Sequence, residues 1–308
     1  MPNCSSCGAQ YIQGAQSCPQ CGAPVISGGA SSTHRIPGLL NPGDTVCGDY
    51  EIERLLRADH AGERYLGAHR LTRQPVTVEV LAPALVRDPQ ARDQILAEAQ
   101  ILSKFHHPTL PVMYTFREES GRFLVVFQRP EGNPLSKSMA EGTPLSPLDA
   151  TKVFEQVLSG LHHTHQQGLF HGALRPSLVY LDDSLNVMLG GFGFLKALDP
   201  PEEGSGDELP MATYMAPEVA LGKNADHRTD LYHVGILFFH TVAGSPPFTG
   251  SSDYEIIRGH VETPPPDLRA LNPTVSPEIA KVIKQALVKD PAGRFPTAAE
   301  FRDALLKV

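Results

Sequence analysis

From residue 49 onward, the spacing of apolar residues divides the chain into two parts of different character. Up to about residue 145, β-branched and aromatic residues gather in short stretches separated by turn residues, which predicts strands at 50–56, 64–70, 74–81, 111–118 and 123–128. One stretch breaks that rule: over 89–105, Ile95, Leu96, Ala99 and Leu102 fall on one helical face. Beyond 145 a period of about 3.6 takes over and predicts helices at 149–167, 229–243, 276–289 and 297–307, with Ser276-Pro277-Glu278 and Pro296-Thr297 as starts. A small β-rich lobe followed by a larger helical lobe is an α+β arrangement with a cleft between the lobes.

The first 48 residues follow neither pattern. Residues 1–25 carry Cys4-Ser5-Ser6-Cys7-Gly8 and Cys18-Pro19-Gln20-Cys21-Gly22. Two residues between paired thiolates let both reach one ion, and the following glycine permits the turn that aims backbone N–H groups at sulfur. Four thiolates suit tetrahedral zinc, and so short a segment cannot bury enough apolar surface to fold unaided. The expected ligands of a structural zinc are Cys4, Cys7, Cys18 and Cys21, with a redox pair or disulfides as the alternatives. The segment resembles the short zinc ribbons of bacterial proteins. Residues 26–48 are rich in Gly, Ser and Pro, the composition of a flexible linker. The large domain is expected over 49–308.

Composition narrows the class. With 41% hydrophobic and 19% charged residues among 308, the chain reads as soluble and globular. Its net charge of -8 offers no field for nucleic acid or an anionic membrane, and residues 1–25 contain no Lys or Arg to grip phosphate. No apolar run approaches the roughly 20 residues of a bilayer span, and no secretory signal is visible. The expected location is cytoplasmic, and the expected partners are proteins.

Five strings in order resemble the Ser/Thr (Hanks-type) protein kinases of bacteria. His171-Gly172-Ala173-Leu174-Arg175-Pro176-Ser177-Leu178 sits where the family has His-Arg-Asp-Leu-Lys-Pro-x-Asn. Leu189-Gly190-Gly191-Phe192-Gly193 stands at the Asp-Phe-Gly run, and Tyr214-Met215-Ala216-Pro217-Glu218 matches the Ala-Pro-Glu motif. Thr229-Asp230-Leu231-Tyr232 with Gly235, then Asp290-Pro291 with Arg294-Phe295, match motifs of the large lobe. The resemblance implies a protein-kinase-like bilobal fold.

It also implies that the phosphoryl-transfer residues are gone. The strand lysine falls at Glu79, the base at Ala173, and the two magnesium-binding positions at Leu178 and Gly191. In the glycine flap, Arg57 and Asp59 replace glycines and only Gly62 survives. General-base help alone is worth roughly 10²–10⁴ in rate, and the parts act as a unit. The resemblance therefore implies a pseudokinase with ATP and Mg²⁺ binding disfavoured, acting as a non-catalytic signalling scaffold or regulator, with an active kinase or its substrates as candidate partners. A divergent Ser/Thr kinase or an ATP-binding sensor with a rearranged site is the alternative. Arg64 occupies a position that lines the adenine site in the family, and is expected either to fill the pocket and pair with Glu79 or to snorkel into solvent.

What remains matches structural positions of the family: Glu98 and Leu102 on the small-lobe helix, His171, Phe192 and Gly193, the buried anchor Asp230, and the ion pair Glu218–Arg294. Ser205 and Thr213 are hydroxyls open to modification or plain loop residues, and Cys47 reads as an ordinary residue. The 13 histidines include His106-His107 and His162-His163-Thr164-His165, for which structural roles are favoured over a second metal site.

Overall fold

Valines at every second position of one strand organise the small lobe. In Pro75–Leu81, Val76, Val78 and Val80 point to one face, where they meet Tyr50, Ile52, Tyr65, Leu124 and Val126. The alternate positions, including Glu79 and Leu81, project from the opposite face, where Leu81 packs with Val86, Ile95 and Phe123. This computed structural model describes residues 39–58, 61–142, 145–194 and 209–308. The chain divides into two units, Met1–Leu39 and Leu40–Val308, and the described residues belong almost wholly to the second.

In chain order, β1 (Thr45–Val46), β2 (Tyr50–Ala58), β3 (Gly62–His69) and β4 (Pro75–Leu81) lead into α1 (Pro83–Arg87) and α2 (Pro89–Leu102). β5 (Met113–Glu119) and β6 (Arg122–Gln128) complete an antiparallel sheet of order β1-β2-β3-β4-β6-β5. The Asp88 side chain caps α2 by accepting the N–H groups of Gln90 and Ala91, and Pro89 opens the helix. Next come β7 (Asn133–Pro134), α3 (Leu135–Ala140), α4 (Pro147–Gln166), β8 (Val179–Leu181) and β9 (Val187–Leu189), the three strands forming a second small sheet. α5 (Pro217–Ala220), α6 (His227–Ala243), α7 (Asp253–Glu262), α8 (Leu268–Leu271), α9 (Pro277–Ala286) and α10 (Ala298–Leu305) build the rest of the large lobe.

The large lobe is assembled around α6. Every residue from Thr229 to Val242 is buried, and a helix apolar on all sides must be enclosed on all sides. An Asp226–Thr229 capping box starts it, and Gly244 ends it in the left-handed conformation at φ 76°. Phe154 of α4 stacks on Phe238 at 4.8 Å. The lobe is locked at one end by Arg294, which donates to both oxygens of Glu218 at 2.9 and 2.7 Å while Thr229 Oγ1 donates to one of them. Removing one partner of such a buried pair typically costs about 3–5 kcal/mol.

Several expectations are revised. The structure places residues 40–48, expected in the linker, against the sheet: the Leu40 N–H donates to Tyr65 Oη at 3.0 Å, β1 pairs with β2, and Val46 and Cys47 join the small-lobe core. Asn41-Pro42-Gly43 forms a turn closed by the Asp44 carboxylate on the Asn41 N–H, and the Gly43 N–H donates to the Ile52 carbonyl at 2.8 Å, so turn residues that read as linker lie against β2. The helix expected over 276–289 ends at Ala286, and α7 was unforeseen because it buries only Ile256 and His260. Among the described residues, no helix is long and apolar enough to cross a membrane.

Three histidines lie within this core. Burial pushes His233, His240 and His260 each down to about 4, against roughly 6.5 in an unfolded chain. Between those values the unfolded chain binds more protons than the folded one, so stability falls as pH drops from about 6.5 towards 4, by up to about 1.4 kcal/mol per pH unit for each histidine. Urea midpoints measured from pH 7.5 to 4.5 should decline through that window, and less steeply for His240→Phe. A midpoint flat across it would show that these histidines take up protons in the fold as readily as in the unfolded chain.

Candidate functional site

Glu79 projects from β4 on the face opposite the valines and is 1% exposed. A carboxylate taken out of water needs compensation on both oxygens, and it has it. Arg64, directly opposite in the β3–β4 register, donates from Nη2 to Oε1 at 2.6 Å. The backbone N–H of Phe194, 115 residues along the chain, donates to Oε2 at 2.9 Å. The Arg64 side chain is 14% exposed, so the guanidinium is enclosed with its partner and does not snorkel into solvent.

Gly193 makes this approach possible. A Cβ built there would lie 2.5 and 2.8 Å from the two carboxylate oxygens, closer than any side chain tolerates. The segment 191–194 is therefore drawn onto the small-lobe strand through Glu79. At the start of β3, Gly62 serves a similar need, since a Cβ would meet the Val80 carbonyl oxygen at 2.3 Å. Arg57 pairs with Arg64 in the β2–β3 register, and Asp59 lies outside the described residues.

Leu178 and Gly191 are brought together. Leu178 is buried, and a Cβ on Gly191 would sit 2.9 Å from Leu178 Cδ1 and 3.1 Å from His171 Nε2. Gly191 also adopts φ +75°, which favours glycine. An aliphatic side chain thus rests against bare backbone, and neither position offers an oxygen side chain to a hard cation. Ala173 lies on the adjoining loop, its N–H donating to His171 Nδ1 at 3.3 Å.

The surrounding frame is tightly bonded. Asp230 has no exposed surface and accepts the N–H groups of His171 and Gly172, each at 2.7 Å, and His165 Nε2 at 2.8 Å. Burial alone would raise its pKa, but the His165 hydrogen bond and the neighbouring imidazoles outweigh that and hold it below the usual range. His171 Nε2 donates to the Gly190 carbonyl at 2.9 Å, and its ring meets Phe192 edge-on at 4.8 Å. Phe192 in turn meets Phe105 at 5.9 Å, and Leu102 belongs to the same apolar cluster. Glu98, half-buried, lies one helical turn before Leu102 on α2.

The remaining candidates separate cleanly. Thr213 is 2% exposed and its carbonyl accepts from His260 Nε2 at 3.0 Å, while Tyr232 O–H donates to His260 Nδ1; a kinase could not reach this hydroxyl without opening the segment. Cys47 is buried, and that burial raises its thiol to about 11, which leaves it inert as a thiolate. His107 bonds Thr109 and Ser159, and the His163 ring lies tilted against it at 5.6 Å. Among the described residues, no cluster of three or more His, Cys, Asp or Glu is placed to share a metal ion. Cys4, Cys7, Cys18, Cys21 and Ser205 lie outside the described residues. Sequence reasoning missed the Phe194 N–H, because a backbone donor carries no signature in residue type.

Comparison with known proteins agrees with this geometry. The protein kinase domain family model matches residues 50–304, and a zinc-ribbon domain model matches residues 3–25. The serine/threonine-protein kinase PrkC of Bacillus subtilis (strain 168) is 28% identical over 259 residues, covering 84% of this chain and 40% of its own length. Serine/threonine-protein kinase PknA of Mycobacterium tuberculosis (strain ATCC 25618 / H37Rv) is 29% identical over 272 residues, covering 86% and 62%. The chain thus spans less than two thirds of the length of these curated relatives. The crystal structure of the Mycobacterium tuberculosis PknI kinase domain superposes with a TM-score of 0.64 at 27% identity, covering 87% of this chain and 99% of that one.

The Glu79 arrangement has an energetic consequence. Glu79→Ala removes the carboxylate that accepts from both Arg64 and the Phe194 N–H, so it should lower unfolding free energy by about 3–5 kcal/mol. Arg64→Met combined with Glu79→Met should recover most of that loss. Urea denaturation of both variants measures the effect, and a loss under about 1 kcal/mol for Glu79→Ala would show that the contact contributes little.

Proposed function

The chain belongs to the protein kinase family, and within that family we propose that it is a pseudokinase, a non-catalytic signalling scaffold or regulator that works through protein contacts. The observation that carries this reading is Glu79, held between Arg64 and the Phe194 N–H where the family places a phosphate-binding lysine. Phosphoryl transfer in this family depends on positioning and on cations around the phosphates. Here the cation that could serve phosphate is engaged by a fixed carboxylate. Paired in this way, Arg64 and Glu79 present no net positive charge with which to hold a phosphate. Ala173, Leu178 and Gly191 supply neither a proton acceptor nor metal ligands. The residues that maintain shape (Asp230, His171, Phe192 and the Glu218–Arg294 pair) are meanwhile fully bonded or packed. Candidate partners are an active kinase or its substrates, and the net charge of -8 argues against nucleic acid.

Millimolar ATP, with or without Mg²⁺, should leave the melting temperature of the purified protein within about 1 °C, because a ligand stabilises only by RT ln(1 + [L]/Kd). No labelled phosphate should be incorporated from ATP. A rise of several degrees would return the chain to the nucleotide-sensor reading, and phosphate incorporation to the divergent-kinase reading.

For the zinc-ribbon segment, the donor set fits the metal: two Cys-x-x-Cys pairs supply four soft thiolates and no competing ligand type. We propose that Cys4, Cys7, Cys18 and Cys21 hold one structural zinc in a closed, non-catalytic site that also offers a second protein contact. Elemental analysis should find about one zinc per chain, lost in Cys4→Ser/Cys7→Ser. An unchanged zinc content in that variant would place the metal elsewhere.

A further inference from the structure

Away from Glu79, the loop 172–175 and the segment 211–219 enclose a cavity of about 120 Å³. Its walls are largely apolar, with Ala173, Met211, Met215 and Val219 among them. A dry cavity of about 150 Å³ is known to hold benzene, so this space suits a single aromatic ring. The two thioethers favour a ring over an aliphatic body, because methionine sulfur packs well against an aromatic edge. Met211 and Val219 are 53% and 40% exposed, which places part of the wall at the surface and leaves an entry path. Arg175 lines the space as well, but it is bonded through Nε to Ser177 Oγ and through Nη1 to the Met211 sulfur, and it serves as wall.

One polar group on the wall is not explained by packing. His233 of α6 is 3% exposed and lines the cavity, yet its Nδ1 has no hydrogen-bond partner. Asp230 Oδ1 stands 4.0 Å from that nitrogen, too far for a hydrogen bond, and the Asp230 oxygens are taken by His165, His171 and Gly172. The carboxylate charge still selects a tautomer: the proton belongs on Nδ1, facing Asp230, and the far nitrogen Nε2 is left as an acceptor. Burial holds the ring down to about 4 against the pull of Asp230, so it is neutral at pH 7. A buried acceptor without a donor costs free energy that a ligand O–H would recover. A phenolic hydroxyl, with a pKa of about 10, stays neutral at that pH and carries the proton to donate. A carboxylate brings no proton, and would set its charge against the Nε2 lone pair with Asp230 behind it.

We infer that this cavity binds a small neutral phenol, with its ring against Met211, Met215 and Val219 and its hydroxyl donating to His233 Nε2. This assignment goes beyond the scaffold reading and does not depend on it. Because residues 211–216 form one wall and His233 belongs to α6, occupancy would tie that segment to the central helix.

Methyl NMR of the full chain labelled at methionine reads the site directly, since Met211 and Met215 line it while Met113 and Met139 do not. Phenol is the probe; anisole keeps the ring and the oxygen without the donor, toluene has neither, and benzoate is an acceptor-only anion. At pH 7 phenol should shift the Met211 and Met215 signals saturably and leave Met113 and Met139 in place. It should bind at least about tenfold more tightly than anisole, toluene or benzoate. His233→Phe should bring phenol down to the level of toluene while toluene still binds, which reports an intact cavity. If His233→Phe fails to fold, the ranking of phenol over anisole in the natural chain, and its loss in Val219→Trp at the exposed mouth, carry the test. Unmoved Met211 and Met215 signals at millimolar phenol overturn the proposal. So does equal binding of anisole or toluene, tighter binding of benzoate, or a preference for phenol that survives His233→Phe or Val219→Trp.

Discussion

One carboxylate with no exposed surface holds the large lobe to its loops. Asp230 sits in the first turn of the central helix and accepts two backbone N–H groups and an imidazole from residues about 60 positions earlier. Those bonds fix the loop 171–178, and the loop positions the His171 ring against Phe192 and the Gly190 carbonyl. From there packing continues through Phe105 and Leu102 into the small-lobe helix. A buried charge is tolerable only when its hydrogen-bonding capacity is used, so this frame has little freedom to change piecemeal. Its persistence follows from that constraint: folding depends on Asp230 and its partners, whatever residues stand at the positions of the family's lysine, base and metal ligands.

Glu79 is a second buried carboxylate with a different consequence. Its two oxygens join a neighbouring strand, through Arg64, to the distant segment at Phe194. Where relatives would use a cation to engage a ligand, this chain satisfies cation and anion internally. The same substitution pattern recurs at Leu178 and Gly191, where apolar contact occupies the place of oxygen ligands. Each change replaces an interaction that needs a bound partner with one that the chain completes alone.

Much of this was legible in the linear sequence. β-Branched residues over 74–81 located β4, and the 3.6-residue apolar period of 229–243 marked a helix that the family resemblance implied to be the buried one. Five motif strings in order implied the two-lobed fold, and through the same resemblance the residue types at 79, 173, 178 and 191 implied loss of the phosphoryl-transfer set. Even the Arg64–Glu79 pair was accessible as one of two readings, since neighbouring antiparallel strands bring residues in register face to face. These are matters of side-chain identity and local period, which a linear string records directly.

Other features were decided only when distant segments met. The Phe194 N–H reaches Glu79 across 115 residues and carries no mark in residue type. The need for glycine at 193 comes from the carboxylate that packs on it. Thr213 reads as a loop hydroxyl until His260 and Tyr232 enclose it, and residues 40–48 read as linker until Tyr65 and β2 pair with them. Enclosure, backbone donors and cavities belong to pairs of surfaces, so they exist only in three dimensions. The sequence by itself therefore determined the architecture, through side-chain identity and local period, while the tertiary structure decided which backbone donors, buried carboxylates and glycines hold its distant segments together.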